Sequence, residues 1–190
     1  MLASASPRRR ELLQGAGVSF EVEVSRFDEV SLSNLPPLTH ARTAARGKAL
    51  EVARRHVGRW VLAADTVVAL DGQTLGKPRD GVEAIAMLKR LSGREHAVIT
   101  AVCLVAPDGR AASGHGRSVV AFQPLDHAAI ADYVAGGEPR DKAGAYAIQG
   151  EAGEFVGLVS GAFDTVVGLP LHVVARVGRE LACSLLVNSG

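Results

Sequence analysis

Asp65 is the residue whose surroundings in the sequence point most directly to chemistry. It lies within residues 60–70 (WVLAADTVVAL), a run in which only Asp65 and Thr66 are polar. Such a run is typical of a buried strand, and a charge buried there without a partner costs several kcal/mol. Asp65 is therefore predicted to meet a metal ion, a cationic side chain or a water molecule that it activates. A structural role at a strand end, beside Thr66, is the alternative.

The segment that begins the sequence, MLASASPRRR, supplies candidate phosphate ligands. Ser6 is a favoured N-cap and Pro7 suits the first helical position. The arginines that follow, Arg8, Arg9 and Arg10, are then predicted to lie in the first turn of a helix, where cations oppose the helix dipole. An anion would reverse that conflict, because free N–H groups, serine hydroxyls and arginines would converge on it. A solvated helix with a basic face is the alternative.

Lysine is rare in this chain, so each lysine is a candidate for a site that needs a compact ammonium group. The four among the 21 basic residues are Lys48, Lys77, Lys89 and Lys142. Lys77 lies between Gly76, which allows close backbone approach, and Pro78, which stiffens the loop. The loop is not a P-loop, because Pro78 replaces the Ser or Thr that would bind Mg²⁺. An ordinary turn is the alternative for Lys77.

Two further groups of polar residues are candidates for function. Asp28 and Glu29 are adjacent carboxylates after a predicted strand, and they could supply a metal ligand or form a solvated pair. The loop 136–150 (GGEPRDKAGAYAIQG) carries Gln149, whose amide can donate and accept as the reading of a nucleobase edge requires. A surface loop with internal salt bridges is the alternative for this segment. The six histidines show no metal-ligand spacing and receive no role.

The elements that must position these residues follow from periodicity and turn signals. Strands are predicted at 1–3, 18–24, 60–70, 96–106, 118–122 and 155–159, with a short strand near the end of 136–150. Helices are predicted from Pro7, over 39–57, 81–91 and 125–134, and from 168 to about 186. Asp71-Gly72 predicts a tight turn. The pattern favours an α/β fold in which helices flank a mixed sheet in three layers.

Composition narrows the class of protein. A chain of 190 residues that is 47% hydrophobic suits a single domain, residues 1–190, with a sizeable core. A net charge of +1 and only 4% aromatic residues argue against a nucleic-acid binder. Cys103 and Cys183 lie in apolar runs and are predicted to be reduced core residues, as in a cytoplasmic protein. No membrane span or signal peptide is expected.

Six motifs, in order, resemble the Maf family of nucleoside triphosphate pyrophosphatases. They are LASASPRRRELL, AADTVV, LGKPRD, LSGREHAVITAV, GEPRDKAGAYAIQG and VVGLPL, and they run from Leu2 to Leu171. The resemblance implies an α/β fold related to the inosine triphosphate pyrophosphatases, with a cleft between two lobes. It also implies hydrolysis of the α–β phosphoanhydride bond of a nucleoside triphosphate, a divalent cation (Mg²⁺ or Mn²⁺), a nucleotide-pool housecleaning role and a homodimer.

The resemblance also implies roles for individual residues. By motif position, Asp65 is the general base and Glu29 lies near the metal with it. The residues that would bind the triphosphate are Ser4, Ser6, Arg8, Arg9, Lys48 and Lys77. Thr66 and Gln149, with Arg8, fall on specificity positions. Because ADT and AGAYAIQG resemble the group that prefers dTTP and UTP, these are the predicted substrates, with modified pyrimidine triphosphates as further candidates.

The sequence departs from the family pattern at a few positions. Residues 39–48 read THARTAARGK, where the family usually has an aromatic-Val and an Arg-Leu-Ala before its lysine. Thr43 and Gly47 are unusual there, and Asp164 stands where Asn is common. The alternatives are a 7-methyl-GTP pyrophosphatase, whose group tends to have SDQ in place of ADT, and a nucleotide-binding regulator of septum formation.

Overall fold

A computed structural model describes residues 1–29, 32 and 34–183 of the chain. Within this part, five strands form one sheet in the order β2–β1–β3–β4–β5. The strands are β1 (Val61–Leu70), β2 (Gln73–Leu75), β3 (Glu95–Val105), β4 (Ala111–Phe122) and β5 (Val156–Ser160). All neighbouring strands pair antiparallel. Parallel pairing among the described residues consists of two isolated bridges, from Leu2 to Val22 and to Leu62.

Helices cover both faces of the sheet. They are α1 (Pro7–Gly15), α2 (Pro37–Arg55), α3 (Gly81–Leu91), α4 (His127–Ala135), α5 (Phe163–Val167) and α6 (Leu171–Glu180). A row of alanines on α2 packs against Ala63 and Val67 on one face. On the other face, α1 and α6 pack against Leu62 and Ala64, and α3 and α4 pack against Val68 and Leu70. The expected three-layer α/β fold is confirmed.

The local signals that depend on capping and turn chemistry are confirmed. Ser6 Oγ accepts a hydrogen bond from Arg9 N at the start of α1, and Asp80 Oδ1 accepts one from Glu83 N at 2.8 Å at the start of α3. Asp71 and Gly72 have φ values of 53° and 76°. Positive φ at both central residues is the geometry of a type I′ hairpin turn, which joins β1 to β2.

Three strand predictions were wrong in extent. Within the predicted strand 1–3 only Leu2 forms bridges, to Val22 and Leu62. Of residues 18–24, only Val22 forms a bridge, and its partner is Leu2. Leu2 N donates to Glu21 O at 2.8 Å, and Leu2 O accepts from Glu23 N at 3.1 Å. Because Leu2 is the single residue paired in this way, the pairing does not extend into a strand. In contrast, β4 begins at Ala111 and runs through the glycine-rich stretch that was predicted to lie outside it. A Cβ on Gly116 would lie 2.6 Å from Thr165 Oγ1, so the glycine lets α5 approach the sheet.

The remaining differences are in helices and loops. The helix predicted over 39–57 is α2, which is continuous through Gly47; a Cβ at Gly47 would overlap the ring of Phe27, which packs across the helix. Residues 136–150, all of them described, form 3₁₀ turns at Glu138–Asp141 and Ala143–Ala145 and no strand. The predicted final helix, from 168 to about 186, is observed as α6, which starts at Leu171 and ends at Glu180, and the short α5 that precedes it was not predicted; the predicted end near residue 186 lies outside the described residues. Among the described helices, none has the length and apolar composition needed to cross a membrane.

Candidate active site

The candidate site lies along one edge of β1. On its other edge β1 pairs with β3 from Val61 to Ala69. On the site edge, Leu62 bridges to Leu2 and residues 68–70 pair with β2. We call the stretch 63–67 of this edge the β1 notch; no described strand pairs with it. Because successive residues of a strand point to opposite faces, Asp65 faces α2 and Thr66 faces α1 and α5.

On the α2 face, the carboxylate of Asp65 has a cationic partner. Asp65 is 6% exposed, and Lys48 Nζ donates to Asp65 Oδ1 at 2.7 Å. The same ammonium lies 3.0 Å from Glu29 Oε2. Lys48 reaches the sheet because α2 packs on this face of β1 through its alanines. The partner that burial of Asp65 requires is therefore supplied by α2.

His40 completes a group that could hold a metal ion. One imidazole nitrogen of His40 and carboxylate oxygens of Glu29 and Asp65 all lie within 4.8 Å of one another. His40 Nδ1 is buried and has no hydrogen-bond partner among the described residues. Two carboxylates and an imidazole are a donor set suited to a divalent cation. Sequence analysis missed His40, since its eight-residue spacing from Lys48 on one helix was the only available signal.

On the opposite face, the guanidinium of Arg9 joins three parts of the chain. Arg9 Nη1 donates to Ala64 O at 2.8 Å and to Ser4 Oγ at 3.2 Å. Arg9 Nε donates to Gly168 O at 2.9 Å, and Nη2 donates to Thr66 Oγ1 at 3.0 Å. Burial lowers the pKa of Arg9, and the charges of Asp65 and Glu29 oppose that shift. Most donors of Arg9 are thus engaged with the protein, so Arg9 orients the β1 notch.

A line of hydroxyl groups continues from Arg9 across the sheet. Thr100 Oγ1 donates to Thr165 O at 2.7 Å and lies 2.9 Å from Thr66 Oγ1. A hydroxyl has one proton, so Thr100 must accept from Thr66. The proton of Thr66 is therefore committed to Thr100, and any further group that meets Thr66 Oγ1 finds an acceptor.

Ser4 and Ser6 lie at the start of α1, where Ser4 contacts the Arg9 guanidinium that reaches the notch. Ser4 is buried, and its Oγ accepts from Ser6 N at 3.2 Å. The hydrogen bond from Lys142 lowers the pKa of Asp141, and the charge of Arg8 adds a small contribution in the same direction. The start of α1 therefore faces the 3₁₀ turn Glu138–Asp141 closely enough for their charges to interact.

Lys77 and Gln149 lie in the segments beyond β2. Lys77 is exposed in the loop after β2, and Gly76 O accepts from Gly144 N at 3.0 Å. Gly144 itself packs on β1, since a Cβ there would lie 2.9 Å from Val68 Cγ1. Gln149 is exposed in the turn closed by the bond from Gly150 N to Ala147 O. No hydrogen bond or ion pair in the described part of the chain joins Lys77 or Gln149 to Asp65.

The partly buried carboxylate of Glu138 fixes the turn that carries Gln149. Glu138 Oε1 accepts from Tyr133 Oη at 3.0 Å, and Glu138 Oε2 accepts from Glu151 N at 3.1 Å. Gly150 has no room for a Cβ against the same carboxylate. Glu138 thus connects α4 to both ends of the loop. The sequence did not predict this contact.

Comparisons with known proteins agree with the motifs. The model of the family described as Maf-like protein matches residues 1–181. The dTTP/UTP pyrophosphatase of Symbiobacterium thermophilum is 48% identical over 172 residues, which are 90% of this chain and 88% of the relative. That of Myxococcus xanthus is 49% identical over 180 residues (94% and 91%), and that of Geobacter metallireducens is 46% identical over 183 residues (95% of each).

A solved structure also resembles this fold. The nucleoside-triphosphatase / dITP/XTP pyrophosphatase from Mycobacterium abscessus superposes with a TM-score of 0.44 at 21% identity, covering 95% of this chain and 94% of that one. The family assignment rests on the family model and on the sequence relatives, each of which spans nearly the whole chain. The chain therefore belongs to the family of Maf-like proteins.

Proposed function

We propose that this protein is a single-domain nucleoside triphosphate pyrophosphatase that hydrolyses dTTP and UTP to the monophosphate and pyrophosphate. The observation that carries the proposal is a buried Asp65 paired with Lys48 in a chain 46–49% identical to proteins named dTTP/UTP pyrophosphatase. Removal of modified pyrimidine triphosphates from the nucleotide pool is a further proposed use of the same reaction.

Asp65 is the proposed general base. Its carboxylate takes a proton from a water molecule whose oxygen forms a bond to the α-phosphorus. The bond from the α-phosphorus to the bridging oxygen breaks, and pyrophosphate leaves with the electron pair. A positioned base of this kind contributes about 10²–10⁴-fold to a rate. The bond from Lys48 holds the Asp65 carboxylate in one orientation.

The triphosphate is proposed to bind at the start of α1, through Ser4, Ser6 and Arg8 with the charge of Arg9 behind them. Arg9 acts there mainly by orienting Ser4 and Thr66, because most of its donors are already engaged. Lys48 and Lys77 are the proposed partners of the β- and γ-phosphates, whose charge grows as pyrophosphate leaves.

A divalent cation, Mg²⁺ or Mn²⁺, is proposed to bind at Glu29 and Asp65. The donor set fits such an ion, because the two carboxylates and His40 approach one another and one buried imidazole nitrogen lacks a described partner. When bound, the ion would neutralise triphosphate charge and polarise phosphoryl oxygens. The cysteines are both buried thiols, which supports the proposed cytoplasmic setting. A homodimer is proposed from the resemblance alone.

The test is pyrophosphate release from dTTP, UTP, CTP, ITP and 7-methyl-GTP, each with and without Mg²⁺ or Mn²⁺. The proposal expects metal-dependent release that is fastest with dTTP and UTP. Preference for 7-methyl-GTP would retain the chemistry and contradict the assignment of Thr66 and Gln149. Binding of these nucleotides with no release from any of them would contradict the enzyme and favour the nucleotide-binding regulator.

A further inference from the structure

We propose that His40 is a third metal ligand beside Glu29 and Asp65, and that it directs the site toward transition-metal ions such as Mn²⁺ and Co²⁺ over Mg²⁺. The inference rests on the proposed function for the presence of a metal, and it adds the ligand and the class of ion.

Three separate elements bring the donors together. Glu29 belongs to the segment before α2, His40 lies in the first turn of α2, and Asp65 lies in the middle of β1. Their donor atoms are all within 4.8 Å of one another. Ions of this class take nitrogen and oxygen ligands at roughly 2.0–2.2 Å, so atoms at this spacing can reach one ion with small side-chain adjustments.

The imidazole of His40 has one ring nitrogen without a hydrogen-bond partner among the described residues. His40 Nδ1 is buried, and no described residue forms a hydrogen bond with it. Buried polar atoms in folded proteins normally have a hydrogen-bond or metal partner, because leaving one without a partner is unfavourable. The neighbouring cation, Lys48 Nζ, is hydrogen-bonded to Asp65 and paired with Glu29. A metal ion held at the two carboxylates would lie within reach of one imidazole nitrogen of His40.

The chemical type of the donor atoms determines which metal ions the site binds most tightly. Imidazole nitrogen favours first-row transition metals, whereas Mg²⁺ favours oxygen ligands and retains several waters. A site with Glu29 and Asp65 alone would bind Mg²⁺ about as readily after His40 is replaced. A site in which His40 is a ligand loses affinity selectively for the transition-metal ion.

The first experiment measures binding of Co²⁺ and of Mg²⁺, each alone, by calorimetry to the full chain and to His40→Phe and His40→Gln. We expect both variants to lose Co²⁺ affinity by at least about tenfold, since even outer-shell partners of a metal site are worth about 10–100-fold. We expect Mg²⁺ affinity to change by less than about threefold. His172→Phe, an exposed α6 residue beyond the opposite face of the sheet, is the matched control.

The second measurement observes the imidazole directly. Substoichiometric Mn²⁺ should broaden the NMR signals of His40 before those of the other histidines, with the His40 signals assigned by their loss in the variants. Unchanged Co²⁺ affinity in folded His40 variants, or broadening that spares His40, would overturn the proposal. Neither readout uses turnover, so failure of the metal-ligand proposal and failure of the pyrophosphatase proposal are separately visible.

Discussion

At the scale of single residues, Lys48 is the group on which the buried Asp65 depends. Removing one partner of a buried ion pair leaves an uncompensated charge, which costs about 3–5 kcal/mol. Lys48→Met should therefore lower the melting temperature strongly, and added Mn²⁺ should raise it more in the variant than in the native chain, because the ion would replace the lost charge. Differential scanning fluorimetry measures both shifts.

Lys89→Met is the control for the Lys48 variant, because Lys89 is exposed in the last turn of α3. It should leave both the melting temperature and its response to Mn²⁺ near the native values. Equal responses of the Lys48 variant and the native chain to Mn²⁺ would show that the ion does not bind at these carboxylates.

Substitution of Thr100 tests the proposed hydrogen bond between Thr66 and the nucleobase of the substrate. The proton of Thr66 is committed to Thr100, so Thr66 Oγ1 can only accept from a base. Uracil and thymine present an N–H donor at N3, whereas cytosine presents an acceptor. Thr100→Val frees the Thr66 proton, so we expect discrimination between UTP and CTP in kcat/KM to fall by roughly tenfold, about one hydrogen bond.

Thr165→Val is the matched control for Thr100→Val, because Thr165 takes part through its main-chain oxygen and its own hydroxyl has no partner among the described residues. Its ratio of kcat/KM for UTP and CTP should stay unchanged. A Thr100→Val protein that still discriminates fully between UTP and CTP would remove Thr66 from base recognition.

Single residues differ in how far the sequence reveals them. Asp65 was found because a charge in an apolar run must have a partner, and the lysine partner was within the alternatives considered. His40 was missed because its neighbours, Glu29 and Asp65, are 11 and 25 positions away in the chain, and only the packing of α2 on β1 brings them together.

At the scale of elements, Glu138 connects α4 to the turn that carries Gln149. Glu138→Ala removes acceptors from Tyr133 Oη and Glu151 N. The amide of Glu151 should then exchange hydrogen faster, and kcat/KM for UTP should fall by about tenfold, the equivalent of a lost hydrogen bond of 1–1.5 kcal/mol.

Tyr133→Phe separates the two contacts of Glu138. It removes only the Tyr133 hydroxyl and leaves the bond to Glu151 N, so its amide exchange and kcat/KM should remain close to native. Faster exchange at Glu151 in Glu138→Ala without any loss of kcat/KM would show that the turn, and with it Gln149, does not contribute to substrate binding.

Elements were predictable where local chemistry decides them. The caps of α1 and α3 and the Asp71-Gly72 turn follow from residue types at fixed offsets. The start of β4 was misplaced because Gly116 resembles a strand breaker in sequence, whereas in the fold it makes room for Thr165. The segment 18–24 has the alternating pattern of a strand, but it pairs only with Leu2, so a single bridge forms in place of a continuous strand pairing.

At the scale of the whole molecule, His96 links stability to pH. It is buried beside Phe122 and Tyr146, and burial lowers its pKa from 6.5 to about 4. Below pH 6.5 the unfolded chain binds a proton at His96 that the folded chain does not. The free energy of unfolding is therefore highest above pH 6.5 with respect to this residue, and it declines as the pH falls toward 4. The total loss expected from His96 is roughly 3 kcal/mol.

His96→Phe should remove most of this acid dependence, because a phenyl ring keeps an aromatic side chain in the core and carries no group that binds a proton. Urea unfolding at several pH values measures the free energy of unfolding of both proteins. Parallel pH profiles for the native chain and His96→Phe would show that another group causes the acid sensitivity.

The two faces of β1 carry different groups of the proposed active site. The α2 face holds Asp65 with Lys48, and the opposite face holds Thr66 with Arg9 and the start of α1. Strand periodicity alone predicts that Asp65 and Thr66 diverge. The sequence could not say which helix covers which face, since that choice is made by the packing of the whole sheet.

The most direct test of the central claim is hydrolysis of dTTP in H₂¹⁸O by the native chain and by Asp65→Asn. Attack on the α-phosphorus predicts dTMP and pyrophosphate, with the label in dTMP alone. Asp65→Asn should remain folded and lose at least about 10²-fold in kcat. Label in pyrophosphate, release of inorganic phosphate with dTDP, or a folded Asp65→Asn protein with native turnover would contradict the account.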